Sequence, residues 1–179
     1  MKKLLEGDNI ILTAVNDSDI ENMEKWFNDL SFLRYYDYLP SVPKTYKEIK
    51  EFIDEFTKAN DKYIFAIRKK ESKKIIGIAG FDDILWNNGV ATVFIGIGEK
   101  EYISKGFGKE SLCLLIDFGF FEFNFHRIQL NVISYNNSAI NLYEGVGFKR
   151  EGVYREFLLR DDKRYDMYLY GLLKQEWKA

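Results

Sequence analysis

The stretch that decides the fold runs from Phe94 to Glu110 and reads FIGIGEKEYISKGFGKE. Before Gly96 the residues are mostly apolar and β-prone, whereas from Leu112 to Phe123 the apolar residues recur at helical spacing. The pattern predicts a strand that passes through a glycine-bearing loop into a helix. Glycine lets backbone amides approach a ligand closely, and the first amides of a helix lack intrahelical partners. The loop is therefore predicted to bind phosphate.

Composition sets the size and class of the protein. Its 179 residues, 46% hydrophobic and 17% aromatic, are enough for one domain with a substantial core. Only two prolines occur and no Gly/Ser-rich linker divides the chain, so we predict a single domain over residues 1–179. The 26 Lys+Arg residues do not exceed the 28 Asp+Glu residues, which predicts no direct binding of nucleic acid.

Cysteine content and the N-terminal residues bear on metal binding and location. The single cysteine, Cys113, excludes an intramolecular disulfide, and the sequence has no pattern of metal ligands, so no metal is predicted. Leu4 and Leu5 are followed at once by charged residues, and no apolar run is long enough to span a bilayer. A cytoplasmic protein without a membrane partner is therefore expected.

The rest of the chain predicts an alternation of strands and helices around this central stretch. Capping boxes at Ser18-x-x-Glu21 and Thr45-x-x-Glu48 predict two helices, and the aromatic segment 30–43 between them is predicted as a packed loop or a short helix. Strands are predicted over Leu5 to Val15, Tyr63 to Arg68, Lys74 to Phe81, Ala91 to Ile97, Arg127 to Val132, Lys149 to Leu159 and Arg164 to Leu172. The order is βααβββαβαββ, an α/β domain with one mixed, mostly antiparallel, twisted sheet flanked by helices.

A second motif follows the central helix, Asn136-x-x-Ala139-x-x-x-Tyr143-x-x-x-Gly147-Phe148. Taken alone, it is typical of a turn asparagine that caps an amphipathic helix, just as the glycine loop alone is compatible with a simple turn. The loop does not match the P-loop or the dinucleotide fingerprint, because both need glycines that this chain lacks.

Together the two segments resemble the GNAT superfamily of acetyl-CoA-dependent N-acetyltransferases. That family's motif Q/R-x-x-G-x-G/A is matched at Gly106 and Gly108, with Ile103 in place of Gln or Arg, and its later segment N-x-x-A-x-x-x-Y-x-x-x-G-F is matched throughout. A narrower resemblance, to the branch of ribosomal-protein N-terminal and spermidine acetyltransferases, rests on Leu12 to Val15, Trp26 to Asp29 and Gly147 to Val153. The resemblance implies a GNAT-like fold with acetyl-CoA as co-substrate.

The resemblance also implies direct attack of a primary amine on the thioester. It places Tyr143 at the thiol as general acid and the β-prone residues Ile95, Gly96 and Ile97 along the pantetheine arm. Gly96 and Gly98 are expected to allow a bulge that separates this strand from the next one. The remaining residues implied to bind acetyl-CoA are Ile103, Ser104, Lys105, Gly106, Phe107, Gly108, Lys109, Asn136 and Ala139.

The sequence leaves alternatives for the general base and for the acceptor amine. Glu99 and Glu101 are candidates for the general base, with plain solvent exposure of both and a base made of water as alternatives. Tyr35 and Asp37 are expected to face the acceptor, with a packed surface loop as the alternative. The expected acceptor is a protein N-terminus of the ribosomal-protein type. A small amine such as a polyamine or an aminoglycoside, and a non-catalytic acyl-CoA-binding module, are alternatives, and the protein is expected to be a monomer or a homodimer.

Overall fold

The structure is a computed structural model that describes residues 3–178, so residues 1, 2 and 179 of the predicted domain lie outside the described residues. Its framework is a seven-stranded sheet in the order β1-β2-β3-β4-β5-β7-β6. The strands are β1 Ile10–Thr13, β2 Tyr63–Lys69, β3 Ile75–Leu85, β4 Val90–Ile97, β5 Arg127–Ile133, β6 Lys149–Arg160 and β7 Lys163–Leu173.

Five α-helices flank this sheet. They are α1 Ile20–Phe27, α2 Leu30–Tyr36, α3 Tyr46–Lys58, α4 Phe107–Phe121 and α5 Asn137–Val146, and short 3₁₀ turns lie at Asp17–Asp19, Lys100–Tyr102 and Lys174–Glu176. The predicted mixed sheet flanked by helices is confirmed. The structure has one helix more than the predicted order. This helix, α2, lies in the segment that was predicted as a packed loop or a short helix.

Neighbouring strands are antiparallel except for β4 and β5, which are parallel. These two pair only from Val90–Thr92 with Arg127–Gln129, and beyond that point they separate. The predicted separation is therefore present. The register does not shift at Gly96, but the Gly98 and Glu99 N–H groups both donate to the Ile76 carbonyl, so two residues face one at Gly98, as in a bulge. From Thr92 to Ile97 β4 keeps continuous register with β3, while β5 keeps register with β7, so a wedge opens between two separately paired halves of the sheet.

Apolar cores fill both faces of the sheet. Helix α4 packs one face through Leu112, Leu115, Ile116 and Phe120, which are fully buried. Helices α1 to α3 cover the other face, where Met23, Trp26 and Ile49 form a second buried cluster. The wedge thus lies between the α4 layer and an aromatic α1–α3 layer.

The predicted cap of α3 is confirmed: the Thr45 N–H donates to Glu48 Oε2 across 2.8 Å. The predicted box at Ser18 and Glu21 is wrong, because a 3₁₀ turn precedes α1 and moves the cap earlier. There the Asn16 N–H donates to Asp19 Oδ2 across 2.8 Å. Asp19 also accepts from Arg68 Nη1 across 2.9 Å, so the earlier cap is tied to the sheet.

The first strand is shorter than predicted. Residues 5–9 fold back on it, since the Leu12 N–H donates to the Leu5 carbonyl across 2.9 Å and the Gly7 N–H to the Ile10 carbonyl across 3.0 Å. None of the helices within residues 3–178 combines the length and the apolar character that crossing a membrane requires.

Candidate active site

A cavity of about 840 Å³ occupies the wedge between β4 and β5. Its walls come from α2, the end of β4, the loop before α4 and the first turns of α5. The residues predicted for the site that line it are Tyr35, Ile95, Gly96, Ile97, Ile103, Ser104, Gly106, Gly108, Lys109, Asn136, Ala139 and Tyr143.

The N-terminus of α4 forms one end of this cavity. Gly106 caps the helix with φ +89°, a left-handed conformation that favours glycine. The first helical hydrogen bond runs from the Glu110 N–H to the Gly106 carbonyl, and the preceding amides of Phe107 to Lys109 have no acceptor in the described part of the chain. Free amides at a helix N-terminus bind phosphate, and the residues present therefore fit a pyrophosphate here.

The one acidic residue in the first turn of α4 does not oppose an anion. Glu110 turns toward β1, where its Oε1 accepts from the Asn9 N–H across 2.7 Å and from the Ile10 N–H across 3.2 Å. Gly108 leaves the cradle open, because a Cβ there would lie 3.8 Å from the side chains of Ile97 and Leu142. The positive end of the helix is thus free of competing charge and bulk.

The floor of the cavity is the unpaired edge of β4. The Gly98 N–H donates to the Ile76 carbonyl across 2.9 Å, toward β3. Because amides of an antiparallel pair alternate in direction, those of Ile95 and Ile97 point away from β3 into the wedge. They are placed to bind an amide-bearing arm or to polarise a carbonyl.

Tyr143 closes the α5 side. Its ring lies edge-on to Phe148 with centroids 5.9 Å apart, and 8% of the residue is exposed. Its hydroxyl makes no hydrogen bond to the protein within residues 3–178. Burial raises the pKa of Tyr143 to about 12, so the hydroxyl stays protonated at neutral pH and can donate a proton into the cavity.

The Asn136 side chain connects the α2 wall of the cavity with the α5 wall. Its Oδ1 accepts from the Ala139 N–H across 3.2 Å at the start of α5, and its Nδ2 donates to the Tyr35 carbonyl across 3.1 Å. The neighbouring Tyr135 hydroxyl donates to the Arg34 carbonyl. Helix α2 is therefore tied to the β5–α5 corner at two successive residues.

Five predicted site residues do not line the cavity, Asp37, Glu99, Glu101, Lys105 and Phe107. The Asp37 Oδ1 accepts from the Leu39 N–H across 3.1 Å just after α2. The Phe107 ring packs edge-on to Tyr102 with centroids 5.3 Å apart, and Lys105 is exposed. The side chains of these five residues therefore do not form the surface of the cavity.

The two candidate bases, Glu99 and Glu101, both accept a hydrogen bond from Lys74, which lies outside the cavity lining. Glu99 accepts from Trp26 Nε1 across 3.0 Å and from Lys74 Nζ across 2.8 Å, and Lys74 also donates to Glu101 across 3.0 Å. Burial raises the pKa of Glu99, but the hydrogen bonds from Lys74 and Trp26 outweigh it and the net pKa is lowered. The hydrogen bond from Lys74 likewise lowers the pKa of Glu101.

Three aromatic residues, Phe32, Tyr36 and Tyr135, line the cavity and form its aromatic wall. None of them was selected as a site residue from the sequence, where Tyr36 entered only as part of the aromatic segment. Phe32 and Tyr36 stack with centroids 5.1 Å apart, and their i, i+4 spacing on a helix is the signal that could have found them. In the described range of the chain, no group of three or more His, Cys, Asp or Glu residues is arranged to hold a metal ion.

Comparison with known proteins agrees with this geometry. The model of the acetyltransferase (GNAT) domain matches residues 9–149. An uncharacterised N-acetyltransferase, p20 of Bacillus licheniformis, is 26% identical over 174 residues, 97% of each chain. The [ribosomal protein uS5]-alanine N-acetyltransferase of Escherichia coli strain K12 is 26% identical over 183 residues, 98% of this chain and 93% of that one.

A solved structure shares the fold. The crystal structure of spermidine N-acetyltransferase from Vibrio cholerae in complex with CoA and spermine superposes with a TM-score of 0.86. The two sequences are 23% identical, and the match covers 95% of this chain and 98% of that chain.

Proposed function

This chain belongs to the GNAT family of acetyltransferases, and we propose that it transfers the acetyl group of acetyl-CoA to the N-terminal amine of a protein. Family membership makes it an acetyl-CoA-dependent N-acetyltransferase. The class of the acceptor and the roles of individual residues are the proposal.

The cavity has the chemical features that acetyl-CoA requires. The free amides of Phe107 to Lys109 would hold the pyrophosphate, and Lys109 adds positive charge at the cavity surface. The outward amides of Ile95 and Ile97 would bind the pantetheine arm or the thioester carbonyl. Tyr143 then lies on the opposite wall, on the side of α5.

In the reaction the amine nitrogen forms a bond to the acetyl carbonyl carbon, and the carbon–sulfur bond breaks. The departing thiolate takes the hydroxyl proton of Tyr143, the nitrogen loses one proton to water, and the phenol recovers its proton from solvent. Because burial keeps Tyr143 protonated, it can serve as this acid across the physiological range.

One observation carries the choice of acceptor: among the described residues, a single carboxylate, Asp29, lines the cavity. Asp29 is already paired with Lys100, whose Nζ lies 2.7 Å from Asp29 Oδ2. A polyamine carries several positive charges and needs several free carboxylates, whereas a protein N-terminus brings one amine. The aromatic wall suits the side chain of a first residue, and one relative is a [ribosomal protein uS5]-alanine N-acetyltransferase.

The test measures thiol release from acetyl-CoA with three acceptors: a short peptide that begins with Ala, the same peptide with its N-terminus already acetylated, and spermidine. Turnover with the free peptide alone supports the proposal. Turnover with the blocked peptide would show that a side-chain amine reacts. Turnover with spermidine and not with the free peptide would overturn the proposed acceptor.

A further inference from the structure

Tyr36 covers the β4 backbone on the acceptor side, and no role described so far uses it. Its ring stacks on Phe32 with an interplanar angle of 17° and lies edge-on to Phe27 with centroids 5.6 Å apart. A Cβ at Gly96 would come within 2.7 Å of Tyr36 Cδ2, so the ring rests directly on this glycine. Packing therefore fixes Tyr36 over the part of β4 whose outward amides face the cavity.

The Tyr36 hydroxyl is free to bind a ligand. It makes no hydrogen bond to any group within residues 3–178, although the residue lines the cavity. The Tyr36 oxygen is also accessible to solvent. A buried oxygen without a partner would count among the buried unpartnered side-chain atoms, and within residues 3–178 these are Ser41 Oγ and Arg160 Nε. Burial raises the pKa of Tyr36 above its ordinary value, and the charges of Asp37 and Asp82 raise it further. The group is therefore a neutral hydrogen-bonding phenol and not a base.

We propose that the Tyr36 hydroxyl binds and orients the attacking amine, on the wall opposite Tyr143. Its oxygen accepts one N–H of the amine and leaves the nitrogen lone pair free to attack a carbonyl carbon held beside the outward amides of Ile95 and Ile97. This role follows from acetyl transfer to an amine and holds for either acceptor class, because it uses only the reacting nitrogen.

The same contact strengthens during the reaction. As the new nitrogen–carbon bond forms, the nitrogen gains positive charge and its N–H becomes a stronger donor to Tyr36. An interaction that is stronger in the transition state than in the ground state raises kcat as well as acceptor binding. Loss of the hydroxyl should consequently lower kcat and raise the acceptor KM together.

The experiment compares Tyr36→Phe with Tyr38→Phe. The first keeps the stacked ring and removes the free hydroxyl, and the second removes a hydroxyl from the next loop, outside the cavity lining. Steady-state rates are measured with the Ala-initiated peptide and with spermidine, acetyl-CoA affinity by calorimetry, and stability by thermal unfolding.

We expect Tyr36→Phe to lower kcat/KM for the reacting acceptor at least about tenfold, since a hydrogen bond to a charged group is lost. Acetyl-CoA affinity and the unfolding temperature should stay at wild-type values, and Tyr38→Phe should match the wild type. An unchanged kcat/KM, or an equal loss of acetyl-CoA affinity, would overturn the role. Reaction of the wild type with spermidine alone would refute the proposed acceptor class. The role of Tyr36 would then be tested by the kcat/KM of Tyr36→Phe with spermidine.

Discussion

The side-chain Nδ2 of Asn136 donates a hydrogen bond to the backbone carbonyl of Tyr35 across 3.1 Å and joins helix α2 to the start of α5. The same side chain caps α5 through Oδ1 and Ala139. One buried amide thus combines a helix cap with a link between the two walls of the cavity.

Substitutions at Asn136 should separate these two functions. Asn136→Asp keeps an oxygen for the Ala139 amide but has no donor for the Tyr35 carbonyl, whereas Asn136→Ala loses both. We expect the alanine variant to lose about 1–3 kcal/mol of unfolding free energy, measured by urea denaturation. The aspartate variant should unfold closer to the wild type and still show a raised acceptor KM. A normal KM in that variant would mean that the link does not position α2.

Tyr143→Phe should lower kcat by at least about tenfold, because the thiolate then leaves without a proton donor. Since the Tyr143 hydroxyl bonds to nothing in the described chain, stability and acetyl-CoA affinity should stay unchanged. Stopped-flow or steady-state thiol release measures the rate, and calorimetry measures the affinity. Unchanged turnover would remove Tyr143 from the mechanism.

The pH dependence of kcat should reflect the raised pKa of Tyr143. A general acid works only while protonated, so the rate falls as pH rises through its pKa. With that pKa at about 12, kcat should hold a plateau past pH 10, where an ordinary phenol would be half ionised. Initial rates with saturating acceptor, corrected for spontaneous thioester hydrolysis, measure the profile. A falling limb centred near pH 9 that is absent from Tyr143→Phe would show that Tyr143 is the acid but that its pKa is not raised.

Gly108→Leu should weaken acetyl-CoA binding while the fold is kept. The added side chain would enter the space beside the free amides, next to Ile97 and Leu142. We expect the dissociation constant to rise at least about tenfold, because ligand phosphate could no longer reach the helix N-terminus. Gly145→Ala is the matched control, since a Cβ there meets nothing within 4 Å and the position lies outside the cavity lining. Normal affinity in Gly108→Leu would refute the phosphate loop.

Local patterns were enough to predict most of the fold. The change from β-prone to helical spacing around Gly106 located β4, the loop and α4, and the later motif located α5 and its Gly147 end. These features depend on neighbours in sequence, and sequence therefore reveals them. The predicted GNAT-like fold is confirmed by the solved structure that shares it, and acetyl-CoA as co-substrate by the match to the acetyltransferase (GNAT) domain.

The aromatic wall of the cavity could not be predicted in the same way. The position of Tyr36 over Gly96 depends on how α2 packs on the sheet, and the contact of Trp26 with Glu99 joins residues far apart in the chain. Sequence spacing predicts which face a side chain occupies only within one element. Partners contributed by other elements therefore became visible only in the structure.

Glu99→Gln tests the general base that the sequence motif offered. The Glu99 carboxylate accepts hydrogen bonds from Trp26 and Lys74 and does not line the cavity, so we expect kcat to fall by less than about threefold, whereas loss of a general base costs about a hundredfold or more. Because its pKa is lowered, the charged Glu99 stabilises the fold above its ordinary pKa, and this contribution is lost as pH falls through the lowered value. Acid unfolding of the wild type and of Glu99→Gln should therefore converge at low pH, and Glu101→Gln is the kinetic control. A hundredfold loss of kcat confined to Glu99→Gln would restore that residue as the base.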